Sequence, residues 1–87
     1  MSEQYSIRVT ARAERDLQRL PEKVATACVE FIFGPLAENP RRVGKPLRGE
    51  LVGLHSARRG DYRVVYEIID DTTVEIAHIG RRSDVYR

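Results

Sequence analysis

At 87 residues, 41% apolar and 32% charged, the chain suffices for one domain (1–87) with a small core. That composition excludes a disordered tail, and no apolar run approaches the ~20 residues of a membrane-spanning helix. A single cysteine, Cys28, excludes a disulfide framework and a cysteine-based zinc site, and the net charge is only +2.

In chain order, residues 5–10 alternate, with Tyr5, Ile7 and Val9 on one side, which predicts a half-buried strand. Thr10 can cap a following helix, in which Ala13, Leu17 and Leu20 share a face up to Pro21. A second helix is expected from about Glu22 to Gly34, burying Val24, Ala27, Cys28 and Phe31, with Gly34-Pro35 kinking or stopping it. Two helices joined at a proline predict a helical hairpin. Residues 41–53 read as a basic loop broken by Gly44, Pro46, Gly49 and Gly53. Three strands then follow with tight turns: a short one over 55–58, a long one over 62–69 that is apolar on both sides, and one over 73–79. The predicted fold class is α+β, in the order β-α-α-β-β-β, with the helical hairpin packed on one face of a small, mainly antiparallel sheet.

Charge is concentrated. Residues 41–63 carry seven cations (Arg41, Arg42, Lys45, Arg48, Arg58, Arg59 and Arg63) against Glu50 and Asp61. Thirteen of the fifteen cations in the chain are arginines, Lys23 and Lys45 being the two lysines, and the guanidinium fork suits phosphate. Either a solvated basic face or an acidic partner, nucleic acid or protein, accounts for this. If Tyr62, Val64, Tyr66 and Ile68 pack against the helices, period two turns Arg63 to the open face, and a hairpin puts Arg58 beside it. Metal chemistry has little support, since His55 and His78 lie on separate strands with no ligand spacing; both read as packed residues at the edge of the core. No cofactor motif is present, and Gly44 and Gly49 do not form a phosphate loop. The opening residues lack the pattern of a secretion signal, so a cytoplasmic protein is expected.

What remains is a set of arginines and a tyrosine: Arg58, Arg63, Arg81, Arg82 and Tyr86. Metal-free RNA cleavage needs a base for the 2′-hydroxyl, positive charge around the pentavalent phosphate, and a proton for the 5′-oxygen. Arginines supply the second. A phenol with a pKa of ~10 is only about one part in a thousand ionised at pH 7, and a two-unit drop needs roughly 2.7 kcal/mol from neighbouring cations.

The run K-P-L-R-G at 45–49, G-D-Y-R-V-V-Y-E-I at 60–68 and G-R-R-S-D-V-Y at 80–86, with A-E-R-D-L at 13–17 before Leu20-Pro21, resembles the RelE/ParE superfamily of bacterial toxins. The RelE branch is the more similar. The resemblance implies a ribosome-dependent endoribonuclease that cuts messenger RNA in the A site and inhibits translation. It implies catalytic Arg58, Arg63, Arg82 and Tyr86, with Tyr86 as base. Arg41, Arg42, Lys45, Arg48, Arg59 and Arg81 are the remaining candidates for contact with RNA and ribosome. Ser56 is neutral where relatives often carry a second basic residue. The implied partners are a cognate antitoxin, the ribosome and the messenger, with operator DNA bound through the antitoxin and no membrane. The alternatives are a ParE-like toxin that binds DNA gyrase without cleaving RNA, and an inactive relative that only binds antitoxin.

Overall fold

Alternating side chains and a long two-sided apolar segment organise this fold around a five-stranded sheet. The structure, a computed structural model, describes residues 4–81. The strands are β1 (Ser6–Val9), β2 (Lys45–Pro46), β3 (Leu54–Arg59), β4 (Tyr62–Ile68) and β5 (Thr73–Arg81), in spatial order β1-β5-β4-β3-β2. β1 runs parallel to β5, and every other pair is antiparallel. The central position of β4 explains its apolar residues on both sides.

The helices α1 (Ala11–Arg19) and α2 (Glu22–Phe31) cover one face of the sheet. Ala13, Cys28, Ile32 and Leu36 from the helical layer meet Ala57, Val64, Tyr66, Val74, Ile76 and Ile79 from the sheet. As predicted, Thr10 caps α1, its Oγ1 accepting from Ala13 N at 3.1 Å. Gly34-Pro35 does not stop the second helix: the chain continues through a wider π turn, Ile32–Leu36. A π turn shifts the backbone pairing by one residue, which suits a proline that lacks an N–H, and buried Ile32 and Leu36 anchor it.

The segment expected as a basic loop is partly ordered, which corrects the sequence reading. It forms a helical turn, α3 (Pro40–Val43), then β2, and a 3-10 turn at Gly49–Leu51. The cause is long-range. Tyr66, fully buried on β4, donates its hydroxyl to Pro40 O at 2.6 Å. A Cβ at Gly44 would collide with that hydroxyl and come within 2.9 Å of Ser56 O. Glycine here permits close approach of the chain rather than a special turn.

β5 carries a second irregularity. Val65 pairs with His78 and Tyr66 with Ile76, so Ala77 is an extra residue in the ladder. Thr10 Oγ1 donates to Ala77 O at 2.8 Å, and Asp16 Oδ2 accepts from Ile79 N at 2.9 Å. These side chains take over where β1 stops pairing, after Ile76. The bulge breaks the expected alternation: His78 leaves the row of Val74 and Ile76, and Ile79 takes the core place instead.

Candidate nucleic-acid interface

Tight hairpin geometry sets the arginine pair. β3 and β4 are joined through Gly60 and Asp61, and Gly60 has φ +63°, a left-handed value that suits glycine at the first central position of such a turn. The resulting register places Arg58 directly opposite Arg63, and Arg63 opposite Gly80 on β5. Residues paired across strands share a face, so both guanidinium groups stand on the side of the sheet away from the helices. Gly80 adds no side chain to that row.

Arg63 is half-buried and Arg58 exposed. Nη1 of Arg63 donates to Ser56 Oγ at 3.3 Å, while its buried Nε meets no acceptor among the described residues. Among the described residues, neither Arg58 nor Arg63 has a carboxylate partner; the ion pairs there join Arg8 to Glu75 and Arg41 to Asp71. Like charges set directly opposite repel one another. Two facing guanidiniums with no acid partner among the described residues have the charge and geometry to hold an anionic group.

The other candidates are dispersed. Arg59 pairs with Tyr62 on the helix side, its guanidinium 6.0 Å from the Phe31 ring, and that of Arg81 lies 6.0 Å from the Tyr62 ring. Alternation alone separates Arg59 from Arg58. Arg41 and Arg42 lie on α3, and the exposed Arg41–Asp71 pair, at 3.8 Å, contributes little to stability. Arg48 is exposed just before the 3-10 turn, and Lys45 is exposed on β2. Arg82 and Tyr86 lie outside the described residues.

His55 stacks on Tyr66 with ring centroids 5.5 Å apart, as a packed histidine rather than a member of the arginine row. His78 lines an open cleft of about 520 Å³ at the edge of β5, together with Arg12, Asp16 and Arg19. Among the described residues, no group of three or more His, Cys, Asp and Glu could hold a metal ion. No helix there is long and apolar enough to cross a membrane. Burial raises the Cys28 thiol above its ordinary range, consistent with packing rather than reactivity.

Residues 7–86 match the family described as the ParE toxin of type II toxin-antitoxin systems, parDE. The chain belongs to this family. Toxin RelE of Mycobacterium tuberculosis (strain ATCC 25618 / H37Rv) is 69% identical over 84 residues, covering 95% of this chain and 87% of the relative. Toxin RelG of the same strain is 54% identical over 84 residues, covering 95% and 97%. In the solved toxin-antitoxin complex RelBE2 of M. tuberculosis, one chain superposes with a TM-score of 0.88 at 51% identity, covering 97% of this chain and 98% of that one. The named relatives thus fall on the RelE side of the family.

In this toxin, burial, and then Arg41, lower the His55 pKa; burial, and then Arg12, lower that of His78, with Asp16 opposing. Both histidines are therefore folded in the neutral form. As pH falls below ~6.5 the unfolded chain takes up these protons first, so stability is lost through the folded values. Urea midpoints are expected to drop between about pH 7.5 and 5.5, and His78→Gln should flatten the drop. A midpoint that rises on acidification contradicts this placement of the histidines.

Proposed function

We propose that this toxin is a metal-independent endoribonuclease that cuts messenger RNA in the ribosomal A site and is held inactive by a cognate antitoxin. The observation that carries this reading is the cross-strand pair Arg58–Arg63, facing away from the helices with no acid partner among the described residues. The RelE and RelG names of its relatives, and the toxin-antitoxin complex of the solved one, support the same reading.

The chemistry follows from the charge arrangement. A 2′-oxygen attacks the adjacent phosphorus, the bond to the 5′-oxygen breaks, and a 2′,3′-cyclic phosphate and a 5′-hydroxyl result. Arg63, steadied by Ser56, and Arg58 offset the charge that builds on the pentavalent phosphate. The resemblance assigns Tyr86 as the base and Arg82 to the transition state or the leaving oxygen. Arg82 follows Gly80, the partner of Arg63 on β5, by two positions in sequence. The antitoxin covers this basic surface with an acidic or amphipathic segment, and the complex reaches operator DNA through the antitoxin.

The match to the ParE description favours one second reading, a toxin that binds DNA gyrase and leaves RNA intact. Expression without antitoxin, followed by mapping of messenger 5′ ends, separates the two. Cuts within codons of translated messages are expected. Double-strand DNA breaks with uncut messages would establish the gyrase reading instead.

A further inference from the structure

Position 56 lies at the centre of the arginine surface yet carries no charge. Ser56 is 5% exposed, and its hydroxyl accepts from Arg63 Nη1 at 3.3 Å. A buried serine in that place orients Arg63 but supplies no cation to a phosphate. Its partner on β2 is a lysine. β2 is only two residues long, and its register sets Lys45 directly opposite Ser56.

We infer that Lys45 is the third cation of the phosphate site, set beside the arginine pair from β2 through its pairing with Ser56; the inference rests on the messenger-cutting reading. The chain of contacts runs from Lys45 to Ser56 across one strand pair, from Ser56 to Arg63 by the hydroxyl, and from Arg63 to Arg58 across the next pair. Cβ atoms of directly opposed residues lie about 5 Å apart. A lysine stem can therefore carry its ammonium to a phosphate oxygen near the Arg63 fork. Lys45 is exposed, and no carboxylate pairs with it among the described residues. The close packing of Gly44 against Tyr66 and Ser56 fixes the backbone immediately before it. Pro46, which has no N–H, follows it on this edge strand.

A lysine on an edge strand can also serve only to keep another strand from adding there. That role predicts altered association and an unaltered rate. The lysine of the phosphate site predicts the reverse.

The test is single-turnover cleavage of ribosome-bound messenger by the full chain and three variants, Lys45→Gln, Lys45→Arg and Lys23→Gln, over a range of salt. Lys23 lies on α2, on the helix side, and provides a charge-matched control. Lys45→Gln should lower kcat/KM roughly tenfold, as expected for a lost hydrogen bond to a charged group. It should also flatten the log–log salt dependence by about 0.7, the value for one single-strand phosphate contact. Lys45→Arg should retain most of the activity, and Lys23→Gln all of it. If Lys45→Gln matches the wild type in rate and salt slope, or if Lys23→Gln falls as far, the inference is wrong while the cutting reading stands. A wild type that does not cut removes that reading, and the inference with it.

Discussion

Arg63→Ala should lower single-turnover messenger cleavage by about two to three orders of magnitude, the loss typical of removing one preorganised charge-stabilising donor. The same change should leave the urea midpoint unchanged or slightly higher. Arg63 faces Arg58 directly and has no acid partner among the described residues, so its removal relieves repulsion. Its hydrogen bond to Ser56, at 3.3 Å, is a weak counterweight. Activity and stability thus move in opposite directions, which a purely structural arginine would not produce. Cleavage by Arg63→Ala at the wild-type rate would show that this face does not handle the scissile phosphate.

Tyr66→Ala should destabilise the fold by about 3–5 kcal/mol, the range for emptying a large aromatic site in a core. For a chain of this length, total stability of about 4–13 kcal/mol is expected, so the variant approaches the unfolding threshold. Three separate contacts converge on this ring. Its hydroxyl holds Pro40 O, its plane stacks on His55, and Gly44 closes against it. Burial pushes the Tyr66 pKa up to about 12, so the hydroxyl remains a neutral donor throughout the working range. Tyr66→Phe keeps the ring and loses only the hydrogen bond; it should lose about 1–3 kcal/mol by leaving Pro40 O unsatisfied. Denaturant unfolding of the two variants checks both magnitudes. Equal losses would mean that the hydroxyl, and not the ring, supports α3 and β2.

The legible part of this molecule is the part governed by short-range periodicity. Alternation along residues 62–68 assigned Val64 and Tyr66 to the core and Arg63 to the opposite face, and the two-residue turn at Gly60-Asp61 then brought Arg58 opposite Arg63. The Thr10 cap and the apolar positions of α1 were local as well. The parts that were not legible depend on distant partners. Gly44 and Pro46 read as breakers because their strand is stabilised from Ser56 and Tyr66, beyond any local window. The bulge at Ala77 depends on the hydroxyl of Thr10, 67 residues away, and no pattern within β5 announces it. Arg59 and Arg81 are basic by composition but turn to the helix side, over Phe31 and Tyr62. Strand register thus sets Arg58 and Arg63 together and Arg59 and Arg81 apart from them, while Arg82 and Tyr86 lie outside the described residues and Lys45 is added by inference.

The charges of the 41–63 segment differ in what they do. The Arg41–Asp71 pair is exposed on both sides, so salt should screen it at little loss to the fold. The charge of Arg58 and Arg63 is unneutralised among the described residues, and under the proposed function its loss should be read in binding and cleavage rather than in stability.

The most direct measurement is a reconstituted reaction: purified toxin, ribosomes programmed with one defined messenger, and the same messenger without ribosomes. The account predicts a cut confined to the codon in the A site, ending in a 2′,3′-cyclic phosphate, while the unbound messenger stays whole. An intact messenger on the ribosome, with purified gyrase trapped on cleaved DNA by the same preparation, would contradict it.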